Sequence, residues 1–139
     1  MTDFTGVKAA LLLDNQQLVI IQRSNIPGLP YAGLWDFPGG AREGKETPFE
    51  CLAREVKEEL GISIKESAII WQKTHPAMHD PKLTAYFMVA RVTKTNIASI
   101  QFGDEGEGWK LTSIDNFMKS DDVVEPLKGR LEDYLAGRN

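Results

Sequence analysis

Two apolar runs open the chain, Val7 to Leu13 and Leu18 to Gln22, separated by the polar stretch Asp14-Asn15-Gln16-Gln17. Runs of that length divided by a short polar turn predict a β-hairpin. Ser24 to Gly33 follows with Pro27, Gly28, Pro30 and Gly33, too many breakers for a regular element, and predicts an irregular loop. Leu34-Trp35-Asp36-Phe37 reads as a short strand, ended by Pro38-Gly39-Gly40, a turn whose backbone can approach a ligand closely. Next comes a helix with both ends marked: Thr47 as N-cap, Pro48 in the first position, Glu50 as capping-box partner and Gly61 just past the end. Ala68 to Thr74 and Leu83 to Val92 read as strands, joined by a loop with Pro76 and Pro81. Gly103 to Gly108 reads as a loop, and Trp109 to Leu111 as a return to the sheet. Val124, Leu127, Leu131, Tyr134 and Leu135 recur at helical spacing, so a closing amphipathic helix is expected from about Val123.

A length of 139 residues predicts a single domain spanning 1–139. Sixteen Lys and Arg against 20 Asp and Glu give a charge of -4 and a pI near 5.2, so there is no global basic field to hold a nucleic-acid duplex. Small phosphorylated ligands stay open, because a local site or a bound metal can reverse the field. Cys51 is the only cysteine, which excludes an intramolecular disulfide and fits a reducing compartment, the cytoplasm being the default. The apolar stretch near the start is too short to span a bilayer and lacks the basic start of an export signal, so no membrane address is expected.

The chemistry concentrates on the central helix. At about 100° per residue, Phe49, Leu52, Ala53, Val56 and Leu60 fall on one side, and Glu55, Glu58 and Glu59 form a neighbouring acidic arc. Carboxylates at i, i+3 and i+4 repel in a bare helix by a few tenths of a kcal/mol per pair. Such a face is ordinarily just solvated, but a hard divalent cation with oxygen ligands, Mg²⁺ or Mn²⁺, would reverse the sign of that repulsion.

From Gly40 the chain reads GAREGKETPFECLAREVKEELGI. It matches every specified position of G-x5-E-x7-R-E-U-x-E-E-x-G-U, where U is apolar, and so resembles the box of the Nudix hydrolase family. A chance match in a chain this long is on the order of 10⁻⁷ or less. The preceding Leu34-Trp35-Asp36-Phe37-Pro38-Gly39 looks like the approach to the box in MutT-like members. The resemblance implies an α/β/α sandwich around a mixed β-sheet, and cleavage of a nucleoside diphosphate linked to some group X.

Carried over by position, it makes Glu55, Glu58 and Glu59 metal ligands, with the Gly39 carbonyl a further one. Arg54 and Glu46 then orient the catalytic glutamates, and Arg54 is also placed for an ion pair with Glu50 at i−4. The general base of the family comes from a box glutamate or from a later loop. Here the loop candidate is Glu105, in a segment resembling the corresponding MutT-like loop, with a solvated acidic turn as the alternative. Gly40, Arg23 and Phe37 are the expected substrate contacts: Arg23 for a phosphate through its planar fork, Phe37 for stacking on a base. His75 and His79 flank Pro76, which argues against a helical metal pair, and read as loop histidines. Cys51, with no histidine motif nearby, reads as a bystander.

For X, the approach segment favours a nucleoside triphosphate, including an oxidised purine one, hydrolysed to monophosphate and pyrophosphate. MutT-like enzymes that act on oxidised guanine nucleotides read the base with an asparagine before a Glu-Pro pair. Here Val124 precedes Glu125-Pro126, which leaves Asp121 or Asp122 as substitutes. ADP-ribose, a sugar nucleotide or a dinucleoside polyphosphate is the alternative substrate, and a catalytically silent nucleotide-binding domain is the alternative of another class. The intact box counts against the last. Many members of the family dimerise, so a homodimer is compatible with the resemblance.

Overall fold

The chain forms a mixed sheet whose middle is the hairpin expected from the two opening runs. The computed structural model describes residues 3–137. Strand β1 (Gly6–Leu13) pairs antiparallel with β2 (Gln17–Gln22), and parallel with β6 (Thr84–Val92), which in turn pairs antiparallel with β5 (Ile69–Pro76). The short β3 (Trp35–Asp36) and β7 (Gly108–Ser113) both pair with β2, and β4 (Gly39–Ala41) pairs with β1, completing seven strands.

Alternation along β1 divides the core. Val7, Ala9, Leu11 and Leu13 belong to the cluster that includes Cys51, Leu52, Val56 and Leu60 of helix α1 (Pro48–Leu60). Ala10 and Leu12 join the opposite cluster, with Phe117 of α3 (Ile114–Lys119) and Leu127, Leu131 and Tyr134 of α4 (Pro126–Gly137). The result is the expected α/β/α sandwich, with the period-2 strand pattern distributing apolar side chains to both faces. Among the described residues no helix is long and apolar enough to cross a membrane.

Helix α1 begins and ends where its signals place it. Thr47 Oγ1 accepts from Glu50 N at 3.1 Å, Glu50 Oε1 accepts from Thr47 N at 2.8 Å, and Gly61 closes the helix at φ +70°. Each reciprocal bond satisfies a helix-terminal group that would otherwise lack a partner. That use of Glu50 explains why Arg54 does not pair with it, contrary to the i−4 expectation. Helix α4 starts at Pro126, three residues beyond Val123, because Val123 and Val124 are held extended against the sheet: Val123 bridges to Trp35, and Val124 N donates to Trp35 O at 2.9 Å. The pattern also missed α3 and α2 (Lys94–Ala98), helices too short for a periodicity to show, whose starts are capped by Ser113 and Thr93.

Phe37 corrects a second expectation. Its side chain is in the core, 1% exposed, with ring centroids 4.8 Å from Phe117 and 6.0 Å from Phe87. A ring enclosed this way cannot stack on a base. Phe37→Ala should therefore cost about 3–5 kcal/mol of stability in denaturant unfolding; a loss below about 1 kcal/mol would contradict the core placement.

Candidate active site

Pairing of β4 with β1 sets Val7 opposite Gly40 and Lys8 opposite Gly39, and α1 lies across this junction. The two glycines permit the close approach. A Cβ on Gly39, which adopts φ +138°, would collide with the Val7 carbonyl oxygen, and a Cβ on Gly40 would lie 2.6 Å from the Glu55 carboxylate. With no side chain there, the second and third turns of α1 bring their glutamates directly onto the turn backbone.

Gly39, Gly40, Glu55, Glu59, Glu105 and Arg23 all line one cavity of about 580 Å³. Glu59 Oε1 accepts from Gly39 N at 2.9 Å. Burial nevertheless pushes the Glu59 carboxyl up to about 8, against the pull of Lys8 and the Gly39 hydrogen bond. Burial also raises Glu55, which the Arg54 hydrogen bond partly offsets. Glu58 is different: its side chain is 57% exposed, and it stands outside the residues lining this cavity. Glu105 reaches the cavity from the loop before β7, on an exposed segment.

Arg54 ties the acidic residues together from behind. Its Nε donates to Glu46 Oε2 at 2.7 Å and its Nη2 to Glu46 Oε1 at 3.1 Å, a bidentate pair. Nη1 reaches Glu55 Oε1 at 2.9 Å, Glu58 Oε2 at 3.3 Å and Glu43 Oε2 at 3.3 Å, while Nη2 also donates to Ala41 O at 2.8 Å. The Arg54 bond holds the Glu46 carboxyl below its ordinary range. Cys51, fully buried beside this network, has its thiol pushed up to about 12 by burial and by Glu46, which agrees with a bystander.

The donor set fits a hard divalent cation. It consists of carboxylates and a backbone carbonyl, all oxygen, Glu55 and Glu59 are partly buried with their carboxyls raised by that burial, and the missing Cβ at Gly40 leaves room beside Glu55. Among the described residues no three His, Cys, Asp or Glu side chains already converge on one point. Glu55 and Glu58 are turned to Arg54 and Glu59 to Gly39 N, so a cation would draw them from those bonds.

Beside the glutamates, Arg23, expected from the sequence as a phosphate contact, shares the buried Asp36 with Lys8, and neither Lys8 nor Asp36 is among the expected site residues. Asp36 Oδ2 accepts from Lys8 Nζ at 2.9 Å and from Arg23 Nη1 at 3.0 Å, and its Oδ1 accepts from Phe37 N at 2.7 Å. Arg23 is also fixed by Nε donation to Pro30 O at 3.0 Å. Lys8, Arg23, Asp36 and Gly40 line both this cavity and a second of about 730 Å³, so they form the junction between the two. The signal for Lys8 was available, since it is the one charge inside an otherwise apolar strand. Asp121 and Asp122, the proposed substitutes for an amide, are exposed and line neither cavity; Val124 lines the larger one. His75 lies in β5 rather than a loop, with Nε2 3.0 Å from Asp133 Oδ2, and His79 lines the larger cavity.

The model of the NUDIX domain matches residues 4–134. An 8-oxo-dGTP diphosphatase from Proteus vulgaris is 29% identical over 83 residues, 60% of this chain and 73% of that protein. An ADP-ribose pyrophosphatase from Methanocaldococcus jannaschii is 26% identical over 126 residues, 91% of this chain and 69% of that protein. The crystal structure of a MutT protein from Methanosarcina mazei Go1 superposes with a TM-score of 0.75 at 20% identity, covering 100% of this chain and 99% of the other, and shares the fold. With the family model spanning nearly the whole chain around an intact glutamate box, the chain belongs to the Nudix domain family, as a Nudix hydrolase.

Proposed function

We propose that the chain hydrolyses a nucleoside triphosphate to the monophosphate and pyrophosphate, using Mg²⁺ or Mn²⁺ held by Glu55, Glu59 and the Gly39 carbonyl, with Glu58 joining as it turns from Arg54. The observation that carries this reading is the cavity that gathers Glu55, Glu59 and Glu105 on the Gly39-Gly40 backbone and shares Lys8, Arg23, Asp36, Gly40 and Ala41 with a second one. Both volumes, about 580 and 730 Å³, fall in the range of roughly 300–1,000 Å³ usual for small-molecule sites. One holds a polyphosphate, the other a nucleoside.

When bound, the cation offsets phosphate charge and lowers the pKa of a coordinated water. The chain's own groups do the rest. Arg54 keeps Glu46, Glu55 and Glu58 in fixed relation, Arg23 and Lys8 present donors to a phosphate at the junction, and Glu105 approaches from the opposite loop as the proton acceptor. A triphosphate is supported by the approach segment and by the 8-oxo-dGTP diphosphatase relative. ADP-ribose is the second reading, supported by a pyrophosphatase relative that matches 91% of this chain, and it would use the same acidic cavity.

Pyrophosphate release from a panel of nucleoside triphosphates, with ADP-ribose alongside, should require Mg²⁺ or Mn²⁺ and stop with EDTA. Glu59→Gln, by loosening the cation and so misplacing the reacting groups, should lower kcat by about 100-fold. Turnover indifferent to EDTA or to that substitution would sink the reading, and turnover of ADP-ribose alone would select the second one.

The two glycines should separate stability from activity. In Gly40→Ala the atoms nearest the new methyl are the movable end of Glu55, so the melting temperature should hold while kcat falls at least about tenfold through the displaced carboxylate. Gly39→Ala meets backbone at a positive φ, so it should lose about 1–3 kcal/mol of stability. Equal effects of the two substitutions on both readouts would contradict this division.

A further inference from the structure

The sheet-facing side of α4 carries one charge. Arg130 is 4% exposed among Leu127, Leu131 and Tyr134, and its Nη2 donates to Pro76 O at 3.0 Å. Its Nη1 is buried with no hydrogen-bond partner, and among the described residues no carboxylate lies in ion-pair range. Leaving a buried donor unpaired is unfavourable, and more so when it is charged. Such a group calls for an acceptor that the protein itself does not supply.

Arg130 stands in the wall of the larger cavity. Around it Val7, Ala77, Met78, Ala85 and Val124 make apolar walls, and the cavity meets the acidic one at Lys8, Arg23 and Gly40. Lys8 and Arg23 already share Asp36 at that junction, which leaves Arg130 as the cation without a counter-ion deeper in the apolar part. Mainly apolar walls with a few polar groups, Thr5, Tyr31 and His79 besides Arg130, suit a heterocycle better than a free anion.

We propose that this cavity takes the base of the nucleoside substrate and that Arg130 selects a base bearing a ring carbonyl, such as guanine or hypoxanthine, over one bearing an amino group there, such as adenine. The inference rests on the nucleoside triphosphate reading. A guanidinium has donors and no acceptor, so it pairs with a carbonyl oxygen and repels an exocyclic amino group. Nη1 is shielded from solvent in the free chain, so engagement includes a short shift of the fork toward the cavity. A polar site rejects a ligand that leaves its buried groups unpaired far more strongly than an apolar site rejects a change of size.

The test compares kcat/KM for dGTP and dITP with that for dATP, and the affinities of GMP and AMP by calorimetry, in the wild type, Arg130→Met and Arg130→Lys. The wild type should favour the carbonyl bases by at least about tenfold, and Arg130→Met should bring the ratio within about twofold, chiefly through KM. Should Arg130→Met not fold, Arg130→Lys, which keeps the charge and loses the fork, should cut the ratio at least about threefold. A wild type that treats the two bases alike, or a folded variant that keeps the full ratio, overturns the role of Arg130. If no triphosphate is hydrolysed yet GMP binds over AMP through Arg130, the triphosphate reading fails while the base assignment stands.

Discussion

Everything in the site depends on the closeness with which the Gly39-Gly40 backbone lies between β1 and α1. The register of β4 on β1 fixes one side of that contact, and the Gly39 N–H bond to Glu59 fixes the other. Either glycine replaced by a residue with a Cβ would push the strand or the glutamate away. Backbone proximity is therefore what converts an acidic helix face, ordinarily a solvated feature, into a set of oxygen donors facing a cavity.

The same contact explains how carboxylates are divided between structure and chemistry. Arg54 gathers Glu43, Glu46, Glu55 and Glu58 around one guanidinium and so offsets much of their mutual repulsion. Glu59 lies beyond that reach and is buried, which leaves its charge poorly compensated and its pKa raised to about 8. A cation binding there would compensate a charge that the protein leaves exposed to its own low-dielectric surroundings. On the other side of the turn the sign reverses, with Lys8 and Arg23 paired to a single Asp36 and Arg130 in the wall of the larger cavity. A polyanionic substrate with an uncharged base meets a gradient from acidic to basic along the joined cavities.

Local signals carried far in this sequence. The capping box of α1, its closing glycine and the hairpin were all legible, because each is decided by residues within a few positions. What could not be read were contacts made across the sheet. Phe37 follows directly on a two-residue strand, too short for alternation to show which face it takes, and its partners Phe87 and Phe117 are distant in sequence. Val123 and Val124 carried the helical spacing but were captured by Trp35. Lys8 and Arg130 left a trace, each a lone charge among apolar positions of its element, yet the pairing of Lys8 with Asp36 depends on long-range strand order. Periodicity shows that such a charge is buried and stays silent about its partner.

The central claim is that the Gly39-Gly40 turn and the Glu55–Glu59 face form one cation site, and equilibrium Mn²⁺ binding followed by electron paramagnetic resonance tests it most directly. The account predicts saturable binding to the wild type, weakened at least about tenfold in Glu55→Gln. No saturable binding, or the same affinity in that variant, would contradict it.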